Sequence, residues 1–304
     1  MIGRRLDQVA VELFADFSRA RIQSWIKSGE LTVDGERFKP KHKLYGTEQL
    51  CVTAYIDDEQ RWEPQNIPIN VVYDDEDIIV INKPDGLVVH PGAGVADGTL
   101  LNALLHHFPG LAILPRAGIV HRLDKQTTGL MVIARSLSAH NHLTEQLQSR
   151  TLGREYQAIV LGELTGGGSI DKPIGRHPTQ RTKMAVVSTG KEAITHYRLL
   201  NRFSAYSHIE CRLETGRTHQ IRVHLSSIHH PIVGDPLYLG RQRWSVGTPK
   251  KLQPLIADFS RQALHAKALS LVHPGSGKTL RWQAPLPTDM EILLEQLNLY
   301  GEET

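Results

Sequence analysis

Two cysteines in 304 residues are too few for a disulfide framework. Both Cys51 and Cys211 have apolar neighbours, as small buried side chains would. No run approaches the roughly 18 consecutive apolar residues that a membrane helix needs, so no membrane partner is expected. The first residues, Met1-Ile2-Gly3-Arg4-Arg5-Leu6, lack the apolar stretch of a secretory signal, and the expectation is a cytoplasmic protein. A phosphate cradle is missing too. Gly166-Gly167-Gly168 leads into no Gly-x-x-x-x-Gly-Lys-Ser/Thr pattern and reads as a turn. There are sixteen histidines, among them His121, His219, His224, His229 and His230, but no His-Glu-x-x-His. With no thiolate set either, no metal is expected.

A strong excess of charge is also absent: the formal net charge is +3. The distribution says more. From Asp57 to Asp77 eight acids face one base, Arg61, whereas Lys172 to Lys191 holds five bases and no acid. Arg241, Arg243, Lys250 and Lys251 form a second acid-free block. Such segregation suits a polyanion lying on one face, or a set of solvated loops.

What is present in quantity is apolar: 40% of the residues, enough for one large core and one small one. Residues 6 to 28 read as two short helices. Leu6, Val9, Ala10, Leu13 and Phe14 recur at helical spacing, and Ile22, Trp25 and Ile26 follow after a break near Asp16. Ser18 is placed to cap the second helix and Gly29 to stop it. A strand at 31–33 then enters a tight hairpin through Asp34-Gly35. Residues 56–68 are acidic, with two prolines and little periodicity, which makes them the best linker in the chain. The division expected is a small domain at 1–60, a linker at 61–70 and a large domain at 71–304. Beyond the linker, strands are expected at 71–73, 78–81, 130–134, 154–160, 193–200, 208–213, 263–272 and 280–283. Helices are expected at 99–107, at 137–152 with Leu143 and Leu147 inward, and at 290–300. The basic stretch 172–191 reads as a loop.

Three blocks carry the chemistry. The first runs Gly118-Ile-Val-His121-Arg122-Leu123-Asp124-Lys125-Gln126-Thr127-Thr128-Gly129-Leu130, a polar turn before a buried strand. Its one carboxylate, Asp124, has Arg122 and Lys125 close in sequence. It is either a nucleophile or base held among cations, or an Asp bonding its own turn. The second block, Arg154-Glu155-Tyr156-Gln157-Ala158, is a strand whose Tyr156 can be a core aromatic or a contact to substrate. The third is Glu214-Thr215-Gly216-Arg217-Thr218-His219-Gln220-Ile221-Arg222-Val223-His224-Leu225. There Thr218 can cap a helix with Ile221, Leu225 and Ile228 on its apolar face and Arg222 at the edge of that face.

His-Arg-Leu-Asp followed by Thr-Thr-Gly-Leu resembles the signature of the RluA-type pseudouridine synthases. Asn82-Lys83-Pro84, His90-Pro91-Gly92-Ala93-Gly94 and the second and third blocks resemble that family's other motifs, so the likeness covers nearly the whole chain. Relatives often have Thr-Ser-Gly where Thr127-Thr128-Gly129 stands, and the exchange keeps the hydroxyl. Helix, helix and hairpin at about 1–55, with seven bases and three acids from Arg19 to Lys43, resemble an S4-type RNA-binding domain. The resemblance implies an α+β chain: a small S4-like domain, then a large mixed, mainly antiparallel sheet with flanking helices. It implies isomerisation of uridine to pseudouridine in large-subunit ribosomal RNA, free or in an assembling particle, by a monomer that needs no cofactor. In the roles it implies, Asp124, Tyr156 and Arg222 are catalytic, with Arg222 paired to Asp124. Arg122, His121, Arg217, His219 and Gln220 touch the substrate, Arg122 filling the space of an extruded base. Arg19, Arg21, Lys27, Arg176, Arg181 and Lys183 hold phosphates. The competing readings are a non-catalytic ribosome-assembly factor, in which the motifs are scaffold, and a metal-dependent RNA hydrolase using the histidines.

Overall fold

The computed structural model describes residues 3–14, 19–53, 62–92, 94–180, 182–240 and 244–300, with the side chains of 19–21 outside that description. The chain divides into two compact units, residues 1–61 and 62–304.

The first unit has α1 (Leu6–Leu13), α2 (Arg19–Ser28), β1 (Leu31–Val33) and β2 (Leu50–Val52), the strands pairing antiparallel. Leu6, Val9 and Ala10 close on Ile22, Trp25 and Ile26, with Leu31 and Val33 beneath; of the other periodic positions Phe14 packs at the edge of this core, while Leu13, at the end of α1, is exposed. α2 stops as its sequence predicts: Gly29 takes φ +85° and its N–H reaches Trp25 O at 2.9 Å. The cap expected at Ser18 lies outside the described residues. The expected Asp-Gly turn forms, with Val33 and Glu36 exchanging N–H···O bonds at 2.9 Å, but the hairpin stops at that first pair. Asp34-Gly35 turns the chain at positive φ but makes only a single Val33–Glu36 bridge, and the partner of β1 comes at Leu50. Pro40 in the returning segment has no N–H to offer a ladder. The loop closes instead where Asp34 N–H meets Gln49 O and Gln49 N–H meets Asp34 Oδ1, each at 2.8 Å. Cys51 is exposed, against expectation, because Leu50 and Val52 take the inward face of β2.

The second unit is built on a nine-stranded sheet. Its strands are β3 (Asn70–Asp74), β4 (Ile78–Lys83), β5 (Thr128–Ala134), β6 (Gly153–Leu161) and β7 (Gly168–Asp171). After a separate hairpin of β8 (Ile174–Arg176) and β9 (Met184–Val186) come β10 (Ile194–Phe203), β11 (Tyr206–Leu213), β12 (Leu264–Val272) and β13 (Thr279–Gln283). The order is β3-β4-β5-β12-β6-β11-β10-β7, with β13 also on β12. Only β5 and β12 run parallel, so the sheet is mixed and mainly antiparallel. Both faces are covered, which is why its inner strands read as unbroken apolar runs. Ile79, Ile81, Met131 and Ile133 enter the larger layer, and Ile78, Val80, Leu130 and Val132 the smaller.

Flanking helices are α3 (Leu100–His107), α4 (Leu137–Gln148), α5 (Gln220–Ser227), α6 (Gln253–Asp258) and α7 (Thr288–Tyr300). Ser136 caps α4 by accepting Ala139 N–H at 3.1 Å, and Leu143 seats it on the smaller layer. Met290, Leu293 and Leu297 seat α7 on the larger one. Several features depart from the sequence reading. Gly168, read as part of a turn, opens β7 on the edge of the sheet. The stretch 172–191, read as a loop, holds β8 and β9, whose three-residue strands are too short for alternation to show. α6 has only six residues and no visible period. Trp62, Ile67 and Ile69, in the linker region, pack on the larger layer, so from Trp62 onward that stretch runs along the second unit.

Registers bring the three sequence blocks together. Gly129 of β5 is level with Ala266 of β12, Ala266 with Tyr156 of β6, and Tyr156 with Cys211 of β11. Gly129 has φ +113°, and a Cβ there would lie 2.3 Å from Ala266 O. Only glycine lets the loop before β5 meet the parallel seam.

Candidate active site

That loop, residues 119 to 127, is tied down on several sides. Thr127 N–H closes its turn on Asp124 O at 3.0 Å. Lys83, 1% exposed, donates to Pro84 O, Leu87 O and Lys125 O at 2.7, 2.9 and 2.9 Å. Burial lowers its pKa to about 8, and all three ammonium donors act as loop anchors. Gln262 donates to Thr127 Oγ1 at 3.0 Å, and Thr128 Oγ1 meets His265 Nδ1 at 2.8 Å. With its backbone fixed, the Asp124 side chain points into a cavity of about 700 Å³.

The cation on Asp124 is neither of its sequence neighbours. Arg122 and Lys125 are exposed, and Arg222 of α5 reaches in to donate from Nη1 to Asp124 Oδ2 at 2.9 Å. The fork of Arg222 is spent elsewhere. Nε and Nη2 grip Asp235 Oδ2 and Oδ1 at 2.7 and 2.9 Å, and the guanidinium lies 5.0 Å over the Tyr238 ring. Asp235 is fully buried and Arg222 is 4% exposed, against 15% for Asp124. Burial alone would depress the arginine, but the bonds and charge of Asp235, then of Asp124, hold its pKa above the ordinary value. Arg222 was expected at the edge of its helix; it is inside. Asp235 was not singled out in sequence, because an Asp before Pro236 reads as a turn residue. It is one: Oδ1 also accepts Leu237 N–H at 2.8 Å and Tyr238 N–H at 3.0 Å.

His219, not Thr218, is the N-cap of α5, at φ 57°. Tyr238 OH accepts Met184 N–H at 2.9 Å and is hydrogen-bonded to His219 Nδ1 at 2.8 Å. His219 Nε2 faces Asp124 Oδ1 at 3.9 Å, and burial lowers the pKa of this ring. Tyr156 lines the same cavity at 5% exposure, and burial raises its phenol pKa. His121, Arg122 and Arg217 line it too, Arg217 with Nε on Glu192 O at 2.9 Å. Gln220 is a strut. Its Oε1 accepts Thr215 OH and Arg217 N–H at 2.7 and 3.0 Å, and its Nε2 donates to Ile194 O and Thr195 Oγ1, both at 3.0 Å.

Of the residues expected on phosphates, Lys27 is exposed on α2, Arg176 is exposed on β8 and Lys183 is half-buried just before β9. The side chains of Arg19 and Arg21, and all of Arg181, lie outside the described residues. Among the described residues one group has the spacing of a metal site, Asp75, Asp77 and His273. Its ring nitrogens are already used: Nε2 is 2.8 Å from Asp75 Oδ2, and Nδ1 accepts Gly275 and Ser276 N–H at 3.2 and 3.1 Å. His224 is likewise committed, to Thr195 Oγ1 and Lys172 O, both at 2.9 Å.

A half-buried carboxylate, aimed by a buried arginine into an open cavity rimmed by arginines, is the equipment of an enzyme that acts on a nucleotide with its own side chain. Comparison with known proteins gives the class a name. A family model described as RNA pseudouridylate synthase matches residues 77–227, and an S4 domain model matches residues 4–49. The ribosomal large subunit pseudouridine synthase D of Vibrio parahaemolyticus is 54% identical over 303 residues, covering 99% of this chain and 93% of the relative. The protein of that name from Escherichia coli strain K12 gives the same figures. Among solved structures, human RNA pseudouridylate synthase domain containing 4 superposes with a TM-score of 0.60 at 29% identity, covering 75% of this chain and 93% of the other. The chain belongs to the RNA pseudouridylate synthase family and carries an S4 domain.

Proposed function

We propose that this protein isomerises particular uridines of large-subunit ribosomal RNA to pseudouridine, the substrate named for its relatives. The observation that carries the reading is the Asp124–Arg222–Asp235 chain at the cavity, in which one carboxylate is oriented and left partly open while the other is sealed away. A stacked base hides its glycosidic bond, so the nucleotide is extruded into the cavity. Arg122, exposed and two residues from Asp124, fills the vacated stack. Asp124 makes the first attack, Arg222 holds it, and Tyr156 packs against the base and takes part in removing the C5 proton. The overall change is redox-neutral and asks for no cofactor. The exposed bases Lys27 and Arg176, with Arg19, Arg21, Arg181 and Lys183, hold phosphates and position the RNA without reading it. Action as a monomer, in the cytoplasm, completes the reading. Mapping pseudouridine in ribosomal RNA from cells with and without the gene tests the reading. Sites that vanish on deletion and return with wild type, but not with Asp124→Asn, support it; an unchanged map refutes it.

A further inference from the structure

The cavity holds more positive charge than the Asp124 chemistry uses. Five arginines line it, Arg116, Arg122, Arg154, Arg217 and Arg222, against one carboxylate, Asp124. Asp124 and Asp235 answer Arg222, and a uracil ring brings no charge of its own. The surplus suits anions, and the anions of an RNA chain are its phosphates. Arg116 takes no part in the Asp124 network. It is exposed, and its side chain makes no hydrogen bond or ion pair among the described residues. Burial, then the charge of Arg116, lowers the pKa of His140 on α4, a helix whose Leu147 also lines the cavity.

The backbone under Arg116 is held in a costly shape. Arg116 (φ 51°, ψ 38°) and Ala117 (φ 51°, ψ 40°) are both left-handed, and Gly118 follows at φ +77°. Residues other than glycine enter that region at a cost, and arginine is not among those that tolerate it best. A Cβ at Gly118 would run into Ala134 O, so that position has to be glycine. The turn is pinned at both ends, with Ala117 N–H on Leu114 O at 3.1 Å and Ile119 bridged to Ile133 of β5. Such strain collects where a side chain must be aimed. Arg217 stands across the cavity. Its Nε is spent on Glu192 O, just before β10, which leaves its Nη groups. Between β5 and β10 the sheet holds β12, β6 and β11, and Leu264, Tyr156 and Leu213 of those strands line the cavity. Arg116 and Arg217 therefore flank it on opposite sides, with Tyr156 between them.

We propose that Arg116 grips the RNA phosphate on one side of the extruded uridine and Arg217 the phosphate on the other, so that the RNA chain crosses the cavity between them. The assignment rests on the reading that a uridine in RNA is the substrate. Held at both sides, the nucleotide leaves the stack while its neighbours keep their place. The left-handed turn presents Arg116 to the RNA chain, and stability is given up for that.

The test uses a ribosomal RNA fragment with one target uridine, unmodified or carrying a neutral methylphosphonate at one of the phosphates flanking the target. Binding at several salt concentrations, single-turnover conversion and thermal unfolding are measured for wild type, Arg116→Asn, Arg116→Lys and Arg217→Met. Asparagine tolerates left-handed backbone better than arginine, so Arg116→Asn should unfold no lower than wild type. It should nevertheless bind roughly tenfold more weakly, with a salt slope reduced by about one. Its saturated conversion should stay within about threefold, and Arg116→Lys should keep the wild-type salt slope. The neutral linkage on one side of the uridine should weaken wild type by about the same factor yet cost Arg116→Asn nothing more. Arg217→Met should lose the penalty at the linkage on the other side. The proposal is overturned if Arg116→Asn melts several degrees lower, if it keeps every methylphosphonate penalty, or if both arginines answer to the same phosphate. Wild type that binds the fragment without converting it would sink the proposed function, while the binding measurements would still decide the phosphate contacts.

Discussion

Replacing Arg222 with lysine separates charge from geometry. Arg222 makes three charge-assisted bonds, two to Asp235 and one to Asp124, at 2.7 to 2.9 Å. A lysine keeps the charge but cannot span two carboxylates from one planar group. Hydrogen bonds to charged groups contribute roughly 1.5–3 kcal/mol each, so losing two of the three costs about 3–6 kcal/mol. In a unit of this size that lowers the midpoint of thermal unfolding by about 10 °C. The ammonium should stay with the sealed Asp235, because leaving that carboxylate unpaired is the more costly choice. Asp124 then loses its aim. Single-turnover conversion at saturating RNA should fall at least about 100-fold, with RNA affinity within about threefold. The assays are thermal unfolding and single-turnover kinetics on one preparation. Arg222→Lys that unfolds within about 2 °C of wild type and turns over within about threefold would refute the orientation argument.

Deleting residues 1–61 should weaken RNA binding and flatten its salt dependence, because phosphate contacts act through counterion release. The saturated rate should persist; a collapse of that rate with affinity intact would mean the S4 unit helps build the active site. Stability should fall in mild acid. Burial lowers the pKa of His121 to about 3 and of His208 and His265 to about 4, so between pH 6.5 and 4 these rings are neutral when folded and protonated when unfolded. Their stability is present above the unfolded value and lost as pH drops below it, with about three protons taken up on unfolding near pH 5. Denaturant melts from pH 7.5 to 4.5 would show a flat profile if the rings were charged in the folded protein.

Much of this was legible in residues. Apolar runs at 78–81 and 130–134 announced strands, the second of them buried, and Gly29 marked the end of a helix. Asp124, Tyr156 and Arg222 stood out through their motifs, and the fold brings all three to one cavity. What periodicity could not show was pairing at a distance. The sequence put Arg122 and Lys125 beside Asp124, yet its cation comes from a helix 98 residues on. Asp235 looked like a turn aspartate because its second role, gripping Arg222, depends on α5 packing beside that turn. Lys83 stands in a motif that suggests no role for it, since its three acceptors are backbone carbonyls that no side-chain pattern records. The hairpin from β1 was misplaced because a local Asp-Gly signal outweighed Pro40 farther along.

The most direct test of the account is Asp124→Asn, assayed for pseudouridine formation and for RNA binding in parallel. The amide keeps the shape of the side chain but is neither nucleophile nor base. Conversion should be lost while affinity stays within about threefold, since phosphate contacts elsewhere carry the binding. Turnover above about one per cent of wild type would contradict the central role of Asp124, whatever became of affinity.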